Sequence, residues 1–550
     1  MRTRREFLKK LGFAGISSSF FLSLIDQIVY AQINEALELV KNDFKYLGLS
    51  MPGGPPRWFF DLPLYQNEEQ KNSMIPNPMV FTKYLKNTTG DSALKTPNPD
   101  GVIKAIYELK QHHGVYLPEV WNSSFEFNEV KNSLSDLAKH CIFMRGMESL
   151  PFHSGYYKAF QPTSNIPSTA AITSIKNNKL AISSIQYAHH SVEFNHPLNI
   201  TPIVFNDLPT NFDEVSQCAT SIFAPLIIDQ KEKDRLIDAR IKRALDHLEK
   251  VDTSYSKNSK KLYQLSEKTR ELMGRKVGNI IDEIIEAYAS YVKVNELSMR
   301  TELAGIDDAP LFNPATSSEF KQESHQFDDN FNEIPTSNYF ASNEKFSRDF
   351  RDILRSPEGA RKKFNACCFD LCFSLSIAEV LFKNKITNSL LLTAGQLRGI
   401  LNGQYKYKLR NDGHDIGASI SHLFYSKYFQ ALGHSINHFT QQIGQTNFNN
   451  TLIHLTSEFS RSPRVDASGS DHGNTACTTT LISGMIKRPH VLGEIDYKMT
   501  NNIKDIYQGT WGQSSSGKNF SEVYAQIEEL LEVDRKNRVS PNPPLKKEEL

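Results

Sequence analysis

The chain has 550 residues, of which 39% are hydrophobic and 23% charged, and its formal net charge is +1. This is the composition of a soluble globular protein. A nearly neutral chain offers no electrostatic reason to expect nucleic acid as a partner. Its six cysteines are too sparse for a small disulfide scaffold. Three of them, Cys367, Cys368 and Cys372, lie within an apolar pattern of helical spacing, and we expect buried free thiols.

The first residues differ from the rest of the chain. Residues 3–9 read Thr-Arg-Arg-Glu-Phe-Leu-Lys, and a weakly apolar segment rich in Gly and Ser follows over residues 11–24. The segment ends near Ala31 in a small-residue cleavage pattern, which is typical of a twin-arginine (Tat) export signal. It is short and meets Asp26, so it is a poor membrane-spanning helix. A cytosolic basic amphipathic helix is the alternative, but it leaves the complete motif unexplained.

We therefore expect residues 1–31 to be a signal peptide, with the Tat translocase as the partner during export. Its removal takes away five basic and two acidic residues, which changes the net charge from +1 to −2. No later stretch is long and apolar enough to span a bilayer. The expected location of the mature chain is periplasmic or secreted.

Five apolar runs predict strands, and helical patterns or turns separate them. The runs cover residues 44–51, 141–147, 201–206, 388–393 and 451–456. The first is broken at once by a proline-rich and glycine-rich segment over residues 52–56. Strands that alternate with helices predict an α/β fold with a mostly parallel, doubly wound sheet flanked by helices.

Helical spacing and loop-rich composition predict the remaining organisation. Helical patterns cover residues 130–140, 229–305, 346–381 and 421–442. The pattern over 229–305 predicts a helical insertion or cap. Residues 307–343 are rich in Asn, Ser, Pro and Asp and predict a mobile connection, and residues 535–550 predict a disordered tail. We therefore expect residues 32–534 to form a single α/β domain that includes the insertion and the connection.

Four of the predicted strands end in a polar or glycine-rich loop. Parallel strands place their carboxyl ends on one edge of the sheet, where open α/β sheets bind ligands. In chain order the loop residues are Gly53, Gly54, His153, Ser154, Asp412, His414, Glu458, Arg461, Asp471 and His472. An Asp beside a His offers oxygen and nitrogen donors that suit a zinc-class or manganese-class ion. Taken alone, an Asp-His dipeptide is more often part of a surface loop.

In their order and spacing these motifs resemble those of a family of exported bacterial proteins. The motifs are a twin-arginine leader, Gly53-Gly54 after a strand, His153-Ser154, Asp412-Gly413-His414, and Glu458-Phe459-Ser460-Arg461-Ser462-Pro463 running into Gly469-Ser470-Asp471-His472. The chain is similar over most of its mature length to domain-of-unknown-function family 1501 (DUF1501), of the alkaline phosphatase and sulfatase superfamily. The resemblance implies an alkaline phosphatase-like fold.

The resemblance also implies a metal site. The superfamily binds two divalent ions, often zinc, at the edge of its sheet, where they stabilise charge on a phosphoryl or sulfuryl group. Carried over to this chain, Asp412 and His414 correspond to ligands of one ion, and Asp471 and His472 to ligands of the other. The implied substrate is a small-molecule or polymeric ester.

Catalytic roles follow from the same resemblance. Ser154, with His153 beside it, is the only nucleophile candidate that the motif order offers. Arg461 is a candidate partner for an oxyanion through its planar guanidinium, with a structural ion pair as the alternative. Glu458 is either a ligand or a loop brace. His454, inside the predicted strand, is interpreted as a core histidine.

The chain departs from the family at three positions. The acidic ligand expected at the end of the first strand is absent, and Asp61 is the nearest acid. Ser460 replaces the glycine of the Glu-Phe-Gly-Arg motif. A late histidine ligand is also expected, and His490, the only histidine after His472, lies in surroundings that match no motif. These departures leave open whether the site holds two ions, one or none.

Three functional hypotheses follow. The first is a metal-dependent hydrolase of phosphate or sulfate esters. The second is a catalytically degenerate alkaline phosphatase-like protein that acts as an exported binding or scaffold protein. The third is a cell-envelope interaction protein that uses the helical segment. Metal content distinguishes the first hypothesis from the other two.

Overall fold

We describe a computed structural model of the chain. It describes residues 43–62, 110–147, 157–163, 166–176, 182–188, 192–196, 201–223, 276–303, 365–401, 404–409, 418–463, 470–473, 477–493, 495–497, 507–509, 520–533, 538, 544–546 and 549. The predicted signal peptide, the predicted connection over 307–343 and residues 229–275 and 304–305 of the predicted insertion lie outside these ranges. So do His153, Ser154, Asp412 and His414.

The strands and helices alternate along the described chain. The strands are β1 (Lys45–Met51), β2 (Lys110–His112), β3 (Val115–Leu117), β4 (Ser124–Phe127), β5 (Val130–Ser133), β6 (Cys141–Met147), β7 (Ile185–Tyr187), β8 (Ile203–Phe205), β9 (Asn365–Cys367), β10 (Ser389–Thr393), β11 (Leu397–Leu401), β12 (Gln404–Leu409), β13 (Thr451–Ser457), β14 (Ser460–Pro463), β15 (Ser470–Gly473), β16 (Cys477–Ile482), β17 (His490–Leu492), β18 (Ile495–Tyr497) and β19 (Tyr507–Gly509). The α-helices are α1 (Leu134–Ala138), α2 (Tyr157–Phe160), α3 (Thr169–Lys176), α4 (Val215–Phe223), α5 (Lys276–Arg300), α6 (Phe369–Lys383), α7 (Ala418–Phe448) and α8 (Phe520–Leu530).

An eight-stranded sheet forms the centre of the fold, in the order β17-β6-β16-β13-β1-β10-β7-β8. Within this sheet β16 alone is antiparallel to its neighbours, β6 and β13. The other pairings are parallel. The predicted α/β class with a mostly parallel sheet flanked by helices is therefore confirmed. The strands predicted over 44–51, 141–147, 388–393 and 451–456 are β1, β6, β10 and β13, and their carboxyl ends share one edge.

The sheet is buried on both faces, which explains why its central strands read as nearly continuous apolar runs. All seven residues of β1 are buried. Leu47, Leu49 and Met51 pack in a cluster that includes residues of α5, α6 and α7. Tyr46 lies in a second cluster, which includes residues of α3 and α8. The alternation of side chains along a strand separates these two cores.

Three local predictions differ from the structure. Residues 365–367, predicted as helix, form β9, because Cys367 pairs with Arg398 of β11 and this pairing overrides local periodicity. Residues 130–133, also predicted as helix, form β5, which pairs with β4. The polar loop expected after β10 contains the antiparallel hairpin of β11 and β12. Asp412 and His414 therefore follow β12 in the chain.

The described part of the predicted helical insertion belongs to the helical layer on one face of the sheet. Tyr291 of α5 donates a hydrogen bond to Glu379 of α6 over 2.8 Å. Asn295 of α5 donates one to Ser435 of α7 over 3.1 Å. Among the residues that the structure describes, no helix combines the length and apolarity needed to cross a membrane.

Candidate functional site

The candidate site lies at the carboxyl edge of β1 and β13, at the centre of the sheet. β1 and β13 are paired from Lys45–Thr451 to Met51–Ser457 and end together. After β1 the chain turns at Gly53 and Gly54, both with positive φ. After β13 it passes through Glu458 and Phe459 into the hairpin of β14 and β15. The Gly53-Gly54 turn and the segment that leads into the β14–β15 hairpin therefore both leave the sheet at the paired carboxyl ends of β1 and β13.

The ring of Phe459 joins the Gly53-Gly54 turn to this hairpin. A Cβ atom added at Gly54 would lie 2.4 Å from the ring, closer than atoms can approach. The ring centroids of Phe459 and His472 are 3.8 Å apart, with an interplanar angle of 31°. Phe459 is fully buried, whereas His472 is half-buried. The phenyl ring therefore fixes the position of one predicted metal ligand relative to the first-strand turn.

Arg461 holds the same turn by hydrogen bonds. Its Nε donates to the carbonyl oxygen of Gly54 over 2.9 Å, and its Nη2 donates to that of Gly53 over 2.6 Å. Its guanidinium carbon lies 4.9 Å from the centroid of the Phe459 ring. The side chain is buried. The described contacts make Arg461 a brace of the turn, and its pairing with an oxyanion stays a prediction.

Asp61, the nearest acid after β1, forms a buried ion pair with Arg57. Arg57 donates from Nε to Asp61 Oδ1 over 2.5 Å and from Nη2 to Oδ2. The hydroxyl of Thr480 in β16 donates to the same Oδ2 over 2.6 Å. Asp61 and Arg57 are both buried. The guanidinium therefore balances the charge of the Asp61 carboxylate inside the protein.

The remaining predicted ligands are placed only in part. Asp471 lies in β15, where its backbone pairs with that of Ser462, and His472 pairs with Arg461. Asp412 and His414 follow the end of β12 at Leu409 but lie outside the described residues, as do His153 and Ser154. Within the described ranges no group of three or more His, Cys, Asp or Glu side chains is arranged to hold a metal ion.

His490 lies away from this edge. It begins β17 and pairs with Ile142, near the amino end of β6. Met147, at the carboxyl end of β6, is five residues further along, or about 16 Å at the usual rise of a strand. His490 is the only histidine after His472 and so the remaining candidate for a late ligand, and this position removes it from the candidate site.

His454 is the core histidine that the sequence predicts. It is fully buried, and its Nδ1 lies 2.8 Å from the hydroxyl of Tyr46, which is 2.7 Å from that of Thr169. Among the described residues its Nε2 has no hydrogen-bond partner. Burial, with a smaller contribution from the positive charge of Arg57, lowers the pKa of His454 to about 3. The histidine is therefore neutral at physiological pH.

Sequence reasoning missed the pairing of Arg57 with Asp61 and the packing role of Phe459. The four-residue spacing of Arg57 and Asp61 is the usual spacing of a helical ion pair. The 3₁₀ turn at Arg57–Phe59 brings the two side chains together. No local signal indicates that Phe459 covers Gly54, because the two residues are distant in sequence and meet only through the pairing of β1 with β13.

Comparison with known proteins gives one match, in the C-terminal half of the chain. Neither the curated proteins nor the solved structures include a significant match. The model of the family described as "Protein of unknown function (DUF1501)" matches residues 409–509. This span contains β13, the β14–β15 hairpin, Asp412, His414, Asp471 and His472. Over residues 409–509 the chain is therefore similar to the DUF1501 family.

Proposed function

We propose that the protein is an exported, metal-dependent hydrolase of phosphate or sulfate esters, with its site at the carboxyl edge of β1 and β13. The contact of Phe459 with both Gly54 and His472 carries this proposal. It joins the Gly53-Gly54 turn after β1 to two motifs that follow β13, far along the chain, and a site assembled from the ends of several strands needs such convergence.

The donor set fits a divalent cation. Asp471 and His472 supply an oxygen and a nitrogen ligand, and Asp412 and His414 supply a second such pair. Carboxylates brought together without a cation repel each other, and one of them would have to take up a proton. A divalent ion, with zinc as the first candidate, removes that cost and lowers the pKa of a bound water or hydroxyl toward about 7.

The chain's own residues then divide the remaining work. Ser154 is the proposed nucleophile, with His153 beside it. Arg461 and Phe459 keep the Gly53-Gly54 turn and His472 in fixed relative positions. Rigid support of this kind preserves the geometry that a reacting group requires. The mostly parallel sheet and the order of the motifs support an alkaline phosphatase-like fold as part of the same proposal.

A second candidate function is favoured by the pairing of Arg57 with Asp61. The acid closest to the end of β1 is neutralised by a buried guanidinium and bound by Thr480. A site that lacks this acidic ligand holds its ions less tightly than a complete one. On this candidate the protein is a degenerate alkaline phosphatase-like protein that serves as an exported binding or cell-envelope scaffold protein.

Export is part of both candidates. Residues 1–31 are the proposed signal peptide, the Tat translocase is the proposed partner, and the periplasm or the exterior is the proposed location. The support is the Thr-Arg-Arg-Glu-Phe-Leu-Lys sequence over residues 3–9 and the cleavage pattern that ends at Ala31.

A substrate panel tests the hydrolase. The mature protein, loaded with zinc, is assayed on aryl phosphate and aryl sulfate esters beside Ser154→Ala and Ser124→Ala, the latter an exposed residue of β4. The proposal expects metal-dependent hydrolysis that Ser154→Ala abolishes and Ser124→Ala retains. Bound metal without hydrolysis supports the second candidate. Hydrolysis that Ser154→Ala leaves unchanged contradicts the role of the nucleophile.

A further inference from the structure

Two cysteine sulfur atoms are in contact at the start of α6. The Sγ atoms of Cys367 and Cys372 are 3.8 Å apart. Both residues are buried, and both are free thiols. Two thiols in contact can form a bond that the folded structure accommodates, provided that the backbone holds them in place.

The local backbone does hold them. Cys367 ends β9, Cys368 precedes the first residue of α6, and Cys372 lies in the first turn of the helix. The amide of Cys372 donates to the carbonyl oxygen of Cys368 over 2.9 Å. The amide of Cys368 donates to Asn295 Oδ1 of α5, also over 2.9 Å. These bonds fix the bend between β9 and α6 that brings Cys367 against the helix.

We propose that Cys367 and Cys372 form a disulfide bond when the folded chain meets a disulfide oxidant. A sulfur–sulfur bond is about 2.0 Å long, so the two atoms must approach by roughly 1.8 Å, a displacement on the scale of side-chain rotation. One cysteine, as its thiolate, attacks the oxidant's disulfide and releases one thiol. The other attacks the mixed disulfide and releases the second. The protein loses two protons and two electrons, which reduce the oxidant's disulfide to two thiols.

Burial sets the rate of this reaction. It raises the pKa of the Cys367 thiol well above its usual value, and the neighbouring Cys372 raises it further. The reactive thiolate is therefore scarce, and the oxidant reaches it only when β9 or the first turn of α6 opens locally. We expect slow formation in the native protein and faster formation in mild denaturant.

The bond would tie the first turn of α6 to the three-stranded sheet of β12, β11 and β9. β9 pairs with β11, which pairs with β12. β12 ends at Leu409, three residues before Asp412. The bond would therefore restrain this three-stranded sheet, and the chain leaves the sheet at Leu409 to enter the Asp412–His414 segment. The inference goes beyond the proposed function, because it depends on neither a metal nor an activity.

Thiol counting with peptide mapping tests the proposal. The purified, reduced chain is incubated with oxidised glutathione, with and without denaturant below the unfolding transition. It is then quenched in acid and unfolded, and its free thiols are counted. We expect the wild type to lose two of its six thiols and to yield one peptide pair that links Cys367 with Cys372.

Three variants serve as controls. Cys368→Ala should also lose two thiols, because Cys368 is adjacent to the pair but outside it. Cys367→Ala and Cys372→Ala should lose none. The proposal is overturned if the wild type keeps all six thiols in both conditions. A link between other cysteines, or mixed disulfides with glutathione alone, also overturns it.

Discussion

The ring of Phe459 occupies the space in which a side chain at Gly54 would lie. A Cβ atom at Gly54 would be 2.4 Å from the ring, and Gly54 has a φ of +56°, in the left-handed region that favours glycine. Arg461, two residues beyond Phe459, donates to the carbonyl oxygens of Gly53 and Gly54. The Gly-Gly motif after β1 and the Glu-Phe-Ser-Arg motif after β13 thus form one packing unit at the carboxyl edge of the sheet.

Replacement of Gly54 by alanine should destabilise the protein more than the same replacement at Gly114. Both glycines have positive φ, but nothing lies within 4 Å of a Cβ at Gly114. Gly114→Ala then carries only the backbone strain, about 1–2 kcal/mol. Gly54→Ala adds an overlap with Phe459 worth about 1–3 kcal/mol. Urea unfolding measures both, and equal losses would show that the ring moves aside freely.

Replacement of Asp61 by asparagine should leave Arg57 buried without its counter-charge. Removal of one partner of a buried ion pair typically lowers the free energy of unfolding by about 3–5 kcal/mol. Glu126→Gln, at an exposed position of β4, should change it by less than about 0.5 kcal/mol. The double variant Arg57→Met with Asp61→Leu should recover most of the loss, since well-packed apolar residues can replace a buried pair. An Asp61→Asn variant as stable as the control would refute the pairing.

Stability should fall as the pH drops below the ordinary histidine range. Burial lowers the pKa of His434 and His454 to about 3, whereas a histidine in the unfolded chain titrates near 6.5. Between these values the unfolded state binds more protons, so acid favours unfolding. Over that window each histidine lowers the free energy of unfolding by about 1.4 kcal/mol for every unit by which the pH falls, and above it the histidine causes no pH dependence.

Comparison of variants isolates this effect from other titrating groups. His454→Leu should reduce the slope of unfolding free energy against pH by the contribution of one proton. His454→Leu combined with His434→Leu should reduce it by two. Urea unfolding at several pH values between about 4.5 and about 6.5 gives the slopes. Slopes that match the wild type would mean that these histidines are charged in the folded protein.

Export should depend on the paired arginines of the leader. Arg4→Lys with Arg5→Lys keeps the charge but removes the guanidinium pair of the twin-arginine motif. We expect the full-length chain to remain in the cytoplasm in cell fractionation. Arg2→Lys, which leaves the pair intact, should be exported normally. Normal export of the double variant would contradict the proposed signal.

The sheet was predictable where the strands are apolar and buried on both faces. The runs at 44–51 and 451–456 correspond to Lys45–Met51 and Thr451–Ser457 within one residue at each end. β16 was missed although Cys477–Ile482 contains three consecutive threonines, a β-branched residue common in strands, because the run is less apolar than the strands that were identified. Its place is set by its partners: Thr479 and Thr456 share a hydrogen bond of 3.1 Å, and Thr480 binds Asp61.

The candidate site was predictable in its location and less so in its contacts. The rule that parallel strands end at one edge placed Gly54, Arg461 and His472 near one another, and the structure brings them together. The rule gave no information on which side chains would bind each other. The sequence makes Arg461 a candidate for an oxyanion, which stays a prediction, but it does not indicate that Nε and Nη2 donate to the carbonyl oxygens of Gly54 and Gly53. Such contacts depend on tertiary packing.

Metal content tests the central claim most directly. The purified mature protein, loaded with zinc and freed of excess metal, is analysed for bound ion and for its melting temperature with and without a chelator. The double variant Asp471→Ala with His472→Ala is analysed in parallel, and His490→Ala, at the opposite edge of the sheet, is the control. The account predicts at least one divalent ion per chain in the wild type and the control, loss of that ion in the double variant, and a lower melting temperature with chelator. A wild-type protein that holds no metal and melts identically with chelator would contradict it.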